Sequence, residues 1–160
     1  MYGVQGMTTT ATRPPRNPGR ALPIREPYAV SYDRLSRFRP NENAPEIAVG
    51  NVRQHDDNVA YADAVLGGIR ERFSDKGSAS RFRSKERDDW PELLAAIRTG
   101  RPTHVVIWVL DRIVRDDEDR VALIKACRES DTLIVQSGSG TVIDPNDPDS
   151  VFLATILGAV

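Results

Sequence analysis

The sequence predicts an α/β fold, a mostly parallel central sheet with helices on both faces, on three observations. Short apolar, β-branched runs alternate with stretches of helical period along most of the chain, the pattern of βαβ units. Residues 104–110 form an unbroken apolar run, as a strand covered on both faces requires. Turn-forming punctuation (Gly67-Gly68, Gly100, and the Asp-Pro-rich residues 144–149) falls between the periodic runs.

Taken in order, residues 1–27 are rich in Thr, Pro, Arg and Gly without periodicity and read as a disordered arm. Tyr28, Ala29, Val30 and Tyr32 are strand formers just after Pro27, and open the first strand. Residues 38–53 carry two prolines and Gly50 and read as a long loop. A helix follows over 54–66, with Val59, Ala62, Val65 and Leu66 as its apolar side. A strand is expected at 69–74, then a turn-rich segment. Asp88 or Asp89 should cap a helix running to Arg98, with Trp90, Leu93, Leu94 and Ile97 inward and Gly100 as its stop. After the central strand at 104–110 come a helix at 117–129, strands at 132–136 and 141–143, and a last helix from residue 149.

The chain of 160 residues is most simply one domain. A net charge of −1 means that a polyanion would have to be bound by a local basic patch, because no global field attracts it. One cysteine excludes a disulfide framework, and two histidines leave no Cys/His metal cluster. No run is long enough to span a bilayer and no signal-peptide core opens the chain, so the expected location is cytoplasmic. Residues 149–160 end apolar and uncovered, which reads as a truncated helix and the chain as a fragment.

Chemistry concentrates at two strand ends. In the first strand the period of two puts Tyr32, Arg34 and Ser36 on one side, at the C-terminal end where open α/β sheets bind ligands. Asp111-Arg-Ile-Val-Arg115 follows the central strand directly, and whether it is a tight turn or a single helical turn, a spacing of three would give Arg112 and Arg115 a common side. If the two strands are neighbours, three guanidiniums converge on one hydroxyl, and the natural occupant of that gap is a phosphate.

Tyr32, Arg34 and Ser36, the later Asp111, Arg112 and Arg115, and Arg87 near the start of the intervening helix together resemble the catalytic domain of the serine recombinases, the resolvase/invertase family that includes the large serine integrases. Residues 73–80 and 143–148 also match that family's pattern. The resemblance implies a resolvase-like three-layer fold, with the catalytic domain at 28–148 and the start of a long dimerisation helix at 149–160. It implies that Ser36 attacks a DNA phosphodiester, giving a 5′-phosphoserine link and a free 3′-hydroxyl, without metal, ATP or other cofactor. Arg34, Arg112, Arg115 and Arg87 would bind phosphate, Asp111 would orient an arginine or assist proton transfer, and Tyr32 and Gln54 would support the site. The implied partners are DNA and further copies of the chain, a dimer that assembles into a synaptic tetramer when full length, in the nucleoid.

Plainer readings stand beside these. Asp111 and Arg112 alone would be a surface pair, and Arg87 a solvated arginine beside Glu86 and Asp88. Cys127, Trp90 and Trp108 read as core residues and His104 as structural. Two rival functions are a catalytically silent module that only dimerises or binds a partner, and a flavodoxin-like phosphate-binding enzyme. Against the second, no Gly-rich loop follows the first strand.

Overall fold

The computed structural model describes residues 25–36, 45–77 and 89–158. Five strands form one sheet: β1 (Ala29–Ser36), β2 (Ile69–Gly77), β3 (His104–Ile107), β4 (Leu133–Gln136) and β5 (Thr141–Ile143). Their spatial order is β2-β1-β3-β4-β5. The first four run parallel, and β5 returns antiparallel to β4 after a tight turn. The helices are α1 (Pro45–Val65), α2 (Asp89–Arg98), the single turn α3 (Leu110–Ile113), α4 (Asp117–Glu129) and α5 (Pro148–Gly158).

Strand alternation divides the core between two faces. Ala29, Val106 and Val135 meet Leu66 and Tyr61 from the α1 side. Val30, Tyr32, Val105, Ile107 and Ile134 meet Leu93, Ile97, Leu123 and Cys127 from α2 and α4. The sheet is therefore the middle of three layers. The second face carries most of the apolar burial, and truncating Leu93 or Ile97 to Ala there costs about 2–5 kcal/mol.

The ends of the elements have local causes. Asp116 caps α4 by accepting the Asp119 N–H at 2.9 Å. At the start of α2, the Asp89 N–H donates to Asp75 Oδ1 (3.0 Å) while Asp89 Oδ2 accepts from Ser74 N (2.7 Å), so the tip of β2 and the first turn of α2 satisfy each other. Asp75 thus accepts from the first described turn of α2, and Asp88, one of the two expected caps, lies outside the described residues. Gly100, at φ +75°, stops α2 by donating to the Ile97 carbonyl.

Four expectations need correction. Helix α1 starts at Pro45, inside the stretch expected to be loop. Proline suits a first helical turn, and a single mid-helix glycine costs only about 1 kcal/mol against alanine, which a 21-residue helix tolerates. Residues 38–44 of that stretch lie outside the described residues. Strand β2 runs on to Gly77 because its ladder with β1 continues through Arg34↔Asp75 to Ser36↔Gly77. Strand β3 stops at Ile107, because the Leu110 N–H turns aside to the Gln136 side chain (2.8 Å) and opens α3. Finally, Arg25 is docked: its guanidinium donates to the carbonyls of Gly100, Ser130 and Asp131, the C-terminal ends of α2 and α4. Cations are favoured there by unpaired carbonyls and the helix dipole. Residues 1–24, the remainder of the expected arm, lie outside the described residues.

Among the described residues no helix is long and apolar enough to cross a membrane.

Candidate active site

Strands β1 and β3 are hydrogen-bonded neighbours and run the same way, Tyr32 opposite Ile107. Their C-terminal ends therefore share one rim, and the chain leaving β3 passes directly into Trp108, Val109 and α3. Arg34 is half-buried near the end of β1, and Ser36 is its last residue. Arg112 lies in α3 and Arg115 just beyond it, both exposed. The adjacency on which the sequence reading depended is present. Arg87 lies outside the described residues.

One reason given for Arg112 and Arg115 to act together does not hold. Val114 leaves the helical region (φ −79°, ψ 143°), so helical spacing does not relate them. Arg115 is fixed instead through its N–H, which donates to Asp119 Oδ2 at 3.0 Å. The Arg112 guanidinium stands over the Trp108 ring, 5.9 Å from its centroid. Among the described residues it has no carboxylate partner. Nor is Asp111 paired with Arg112: its Oδ1 accepts from Arg120 Nη2 at 2.7 Å, tying α3 to α4.

Tyr32 is fully buried. Its hydroxyl donates to Asp75 Oδ2 (2.8 Å) and its ring meets Trp90 edge-on at 5.2 Å. Gln54, half-buried on α1, keeps a buried Oε1 with no donor among the described residues.

On the opposite face of β1, sequence reasoning missed a buried polar cluster. Asp33 is 1% exposed and accepts from Asn58 Nδ2 of α1 (2.7 Å) and from Arg72 Nε of β2 (2.9 Å). Asn58 Oδ1 in turn accepts from Ser137 Oγ, after β4, at 2.6 Å. His55 Nδ1 stands 3.4 Å from Asp33 Oδ2. The available signal was a carboxylate inside an apolar strand, which burial permits only with partners. His104 sits at the other end of β3, bonded to the Thr103 hydroxyl (2.7 Å), as its structural reading expects. Cys127 is fully buried, and burial pushes its thiol up to about 12.

Such a fold defines a three-layer α/β domain built on a mostly parallel five-stranded sheet. Residues 45–160 match the protein-family model "Resolvase, N terminal domain". The chain belongs to that family and carries a site-specific recombinase catalytic domain. The matched span begins after β1, so Arg34 and Ser36 fall outside it. The fold is similar to the crystal structure of the N-terminal catalytic domain of TP901-1 integrase, at TM-score 0.58 and 21% identity over 82% of this chain and 92% of that one. It is also similar to a resolvase family site-specific recombinase from Streptococcus pneumoniae, at TM-score 0.59 and 15% identity over 83% and 86%. A third likeness is to the C-terminal catalytic domain of ISC1926 TnpA, an IS607-like serine recombinase, at TM-score 0.50 and 21% identity over 67% and 65%. Identities this low bear on the fold alone. No curated protein sequence matches the chain.

Proposed function

We propose that this domain cuts and rejoins DNA through Ser36. The Ser36 Oγ attacks a backbone phosphorus, the bond to the 3′-oxygen breaks, and the serine proton ends on that oxygen, leaving a 5′-phosphoserine and a 3′-hydroxyl. The reverse attack by a 3′-hydroxyl reseals the strand and conserves the bond energy, so no nucleotide cofactor is called for. The observation that carries this reading is the parallel pairing of β1 with β3, which brings the Arg34–Ser36 end and the Asp111–Arg115 connection to one rim.

The histidines support the division of labour. His55 faces Asp33 on the α1 side, and His104 occupies the far end of β3. In this reading catalysis comes from cations that neutralise the phosphorane as its charge grows, and Arg34, Arg112 and Arg115 supply them. Arg87 is assigned a further phosphate contact. Asp111 acts through Arg120, which holds α3 in place. Tyr32 and Gln54 support the β1 end. DNA is the substrate, and copies of the chain pair into a dimer and then a synaptic tetramer in the full-length protein, which works in the nucleoid.

The test is incubation with duplex DNA nicked so that religation is lost. A covalent protein–DNA adduct is expected, through the 5′-phosphate, and Ser36→Ala abolishes it at an unchanged thermal midpoint. An adduct that survives Ser36→Ala moves the nucleophile elsewhere. DNA bound without any adduct leaves the silent binding module as the function.

A further inference from the structure

Trp108 is the residue that the sequence reading left in the core and that the rim uses differently. It is half-buried, and contacts with two other elements fix it. Its Nε1 donates to Asp57 Oδ2 of α1 at 3.0 Å. Its carbonyl accepts the Gly138 N–H at 3.0 Å, in the turn between β4 and β5. That turn closes against the indole so tightly that a Cβ on Gly138 would stand 2.9 Å from Trp108 Nε1 and 3.0 Å from its carbonyl oxygen. The ring is thus keyed to a helix on one side and to a glycine turn on another.

Arg112 has no comparable anchor of its own. Its helix is a single turn that ends at Ile113, its side chain is exposed, and among the described residues it meets no carboxylate. The contact given for its guanidinium is the Trp108 ring at 5.9 Å, inside the roughly 6 Å reach of a cation–π attraction. An aromatic face holds a guanidinium without neutralising it, so the charge stays available to an anion. A carboxylate in the same place would hold it more tightly and cancel it.

We propose that Trp108 is a positioning residue: its ring, fixed by Asp57 and by the Gly138 turn, is a pedestal that presents the Arg112 guanidinium to a DNA backbone phosphate. The inference rests on the rim reading of Arg112 given under the proposed function. Arg53 pairs with the same Asp57 carboxylate at 3.8 Å, so that carboxylate is shared between the indole and an α1 cation.

The experiment measures binding of a short labelled DNA duplex to the full 160-residue chain as salt is varied. Arg112→Ala is expected to weaken binding and to lower the slope of log K against log salt by about 0.9, the value of one phosphate contact. Trp108→Leu is expected to weaken binding about two- to fivefold, the range of a partly exposed cation–π contact. Trp108→Phe, which keeps a ring face but lacks the Nε1–H that bonds Asp57, should restore part of that loss. On the Arg112→Ala background, Trp108→Leu should add nothing. If Trp108→Leu does not fold, Trp108→Met takes its place, since a flexible apolar chain fills the same volume without a π face.

The outcomes separate the two ideas. Arg112→Ala weakening binding while Trp108→Leu does not would remove the pedestal and leave the rim reading intact. A Trp108→Leu loss that persists without Arg112, or that Trp108→Phe fails to restore, would assign the indole a merely structural role. Binding and salt slope unchanged in Arg112→Ala would overturn both.

Discussion

Asp111 accepts from Arg120, one helix away, at 2.7 Å, and not from the adjacent Arg112. The consequence is mechanical and electrostatic together. The one-turn helix α3 has no length of its own to hold it, and this contact ties it to the 13-residue α4. Among the described residues, Arg112 is left without a carboxylate partner.

Arg120→Met should therefore loosen α3. Both side chains are part-exposed, at 23% and 30%, so solvent screening limits the stability loss to about 1 kcal/mol. Urea midpoints should show that loss at low salt and less of it at high salt. Arg120→Lys should recover part, since a lysine keeps the charge and loses the planar fork. Equal midpoints for Arg120→Met and the parent chain would show that α3 is held by its apolar contacts alone.

Arg34→Ala, Arg112→Ala and Arg115→Ala should each slow formation of the DNA adduct about 100-fold or more, close to 3 kcal/mol of lost charge stabilisation. Combining two of them should cost much less than the product of their separate effects, because cations around one phosphate act as a unit. Single-turnover rates on the nicked duplex measure this. Fully multiplicative effects would indicate that the arginines contact different phosphates.

The order of elements was legible in the sequence because it rests on hydrophobic period. Helix α4 falls at Asp117–Glu129 and β5 at Thr141–Ile143, as read. Errors gathered where tertiary partners decide. Nothing local to residues 45–53 outvotes a proline and a glycine, yet the chain is helical there. The end of β3 depends on Gln136, from a strand 26 positions further on, taking the Leu110 N–H. The rim followed the same rule. That Arg34 and Ser36 fall at the end of β1 followed from its strand-forming run, and that Asp111 to Arg115 leave β3 followed from the apolar run before them. That Asp111 would choose Arg120, and Trp108 would lie beneath Arg112, depended on packing that no spacing encodes.

Asp33→Ala should be among the more damaging polar changes. It removes the acceptor of the Asn58 amide, and Asn58 is fully buried, so a donor is stranded without water. The cost of such a group is about 1–3 kcal/mol. Arg72 also loses its partner, but it is 45% exposed and can turn to solvent, so its share is small. Urea denaturation should give a lower midpoint at unchanged slope. A midpoint equal to that of the parent would mean that water enters and satisfies Asn58.

Cys127 gives the fold a defined alkaline limit. Burial among Leu123, Ala126 and the apolar face of the sheet raises its thiol from 9.0 to about 12. In the unfolded chain the thiol ionises near its ordinary value, while in the folded chain it stays neutral. The stabilisation is thus fully present below about pH 9 and is lost as pH climbs towards 12, at a limiting slope of about 1.4 kcal/mol per pH unit. Other groups titrate in that window, so the measurement is a difference: Cys127→Ala should unfold more easily near pH 8 through its cavity, yet lose less further stability than the parent as pH rises. The same burial predicts slow reaction of Cys127 with a thiol reagent near pH 8, at a rate that rises with urea in step with unfolding. Parallel pH dependences for the two chains, together with fast labelling in the absence of urea, would place the thiol within reach of solvent.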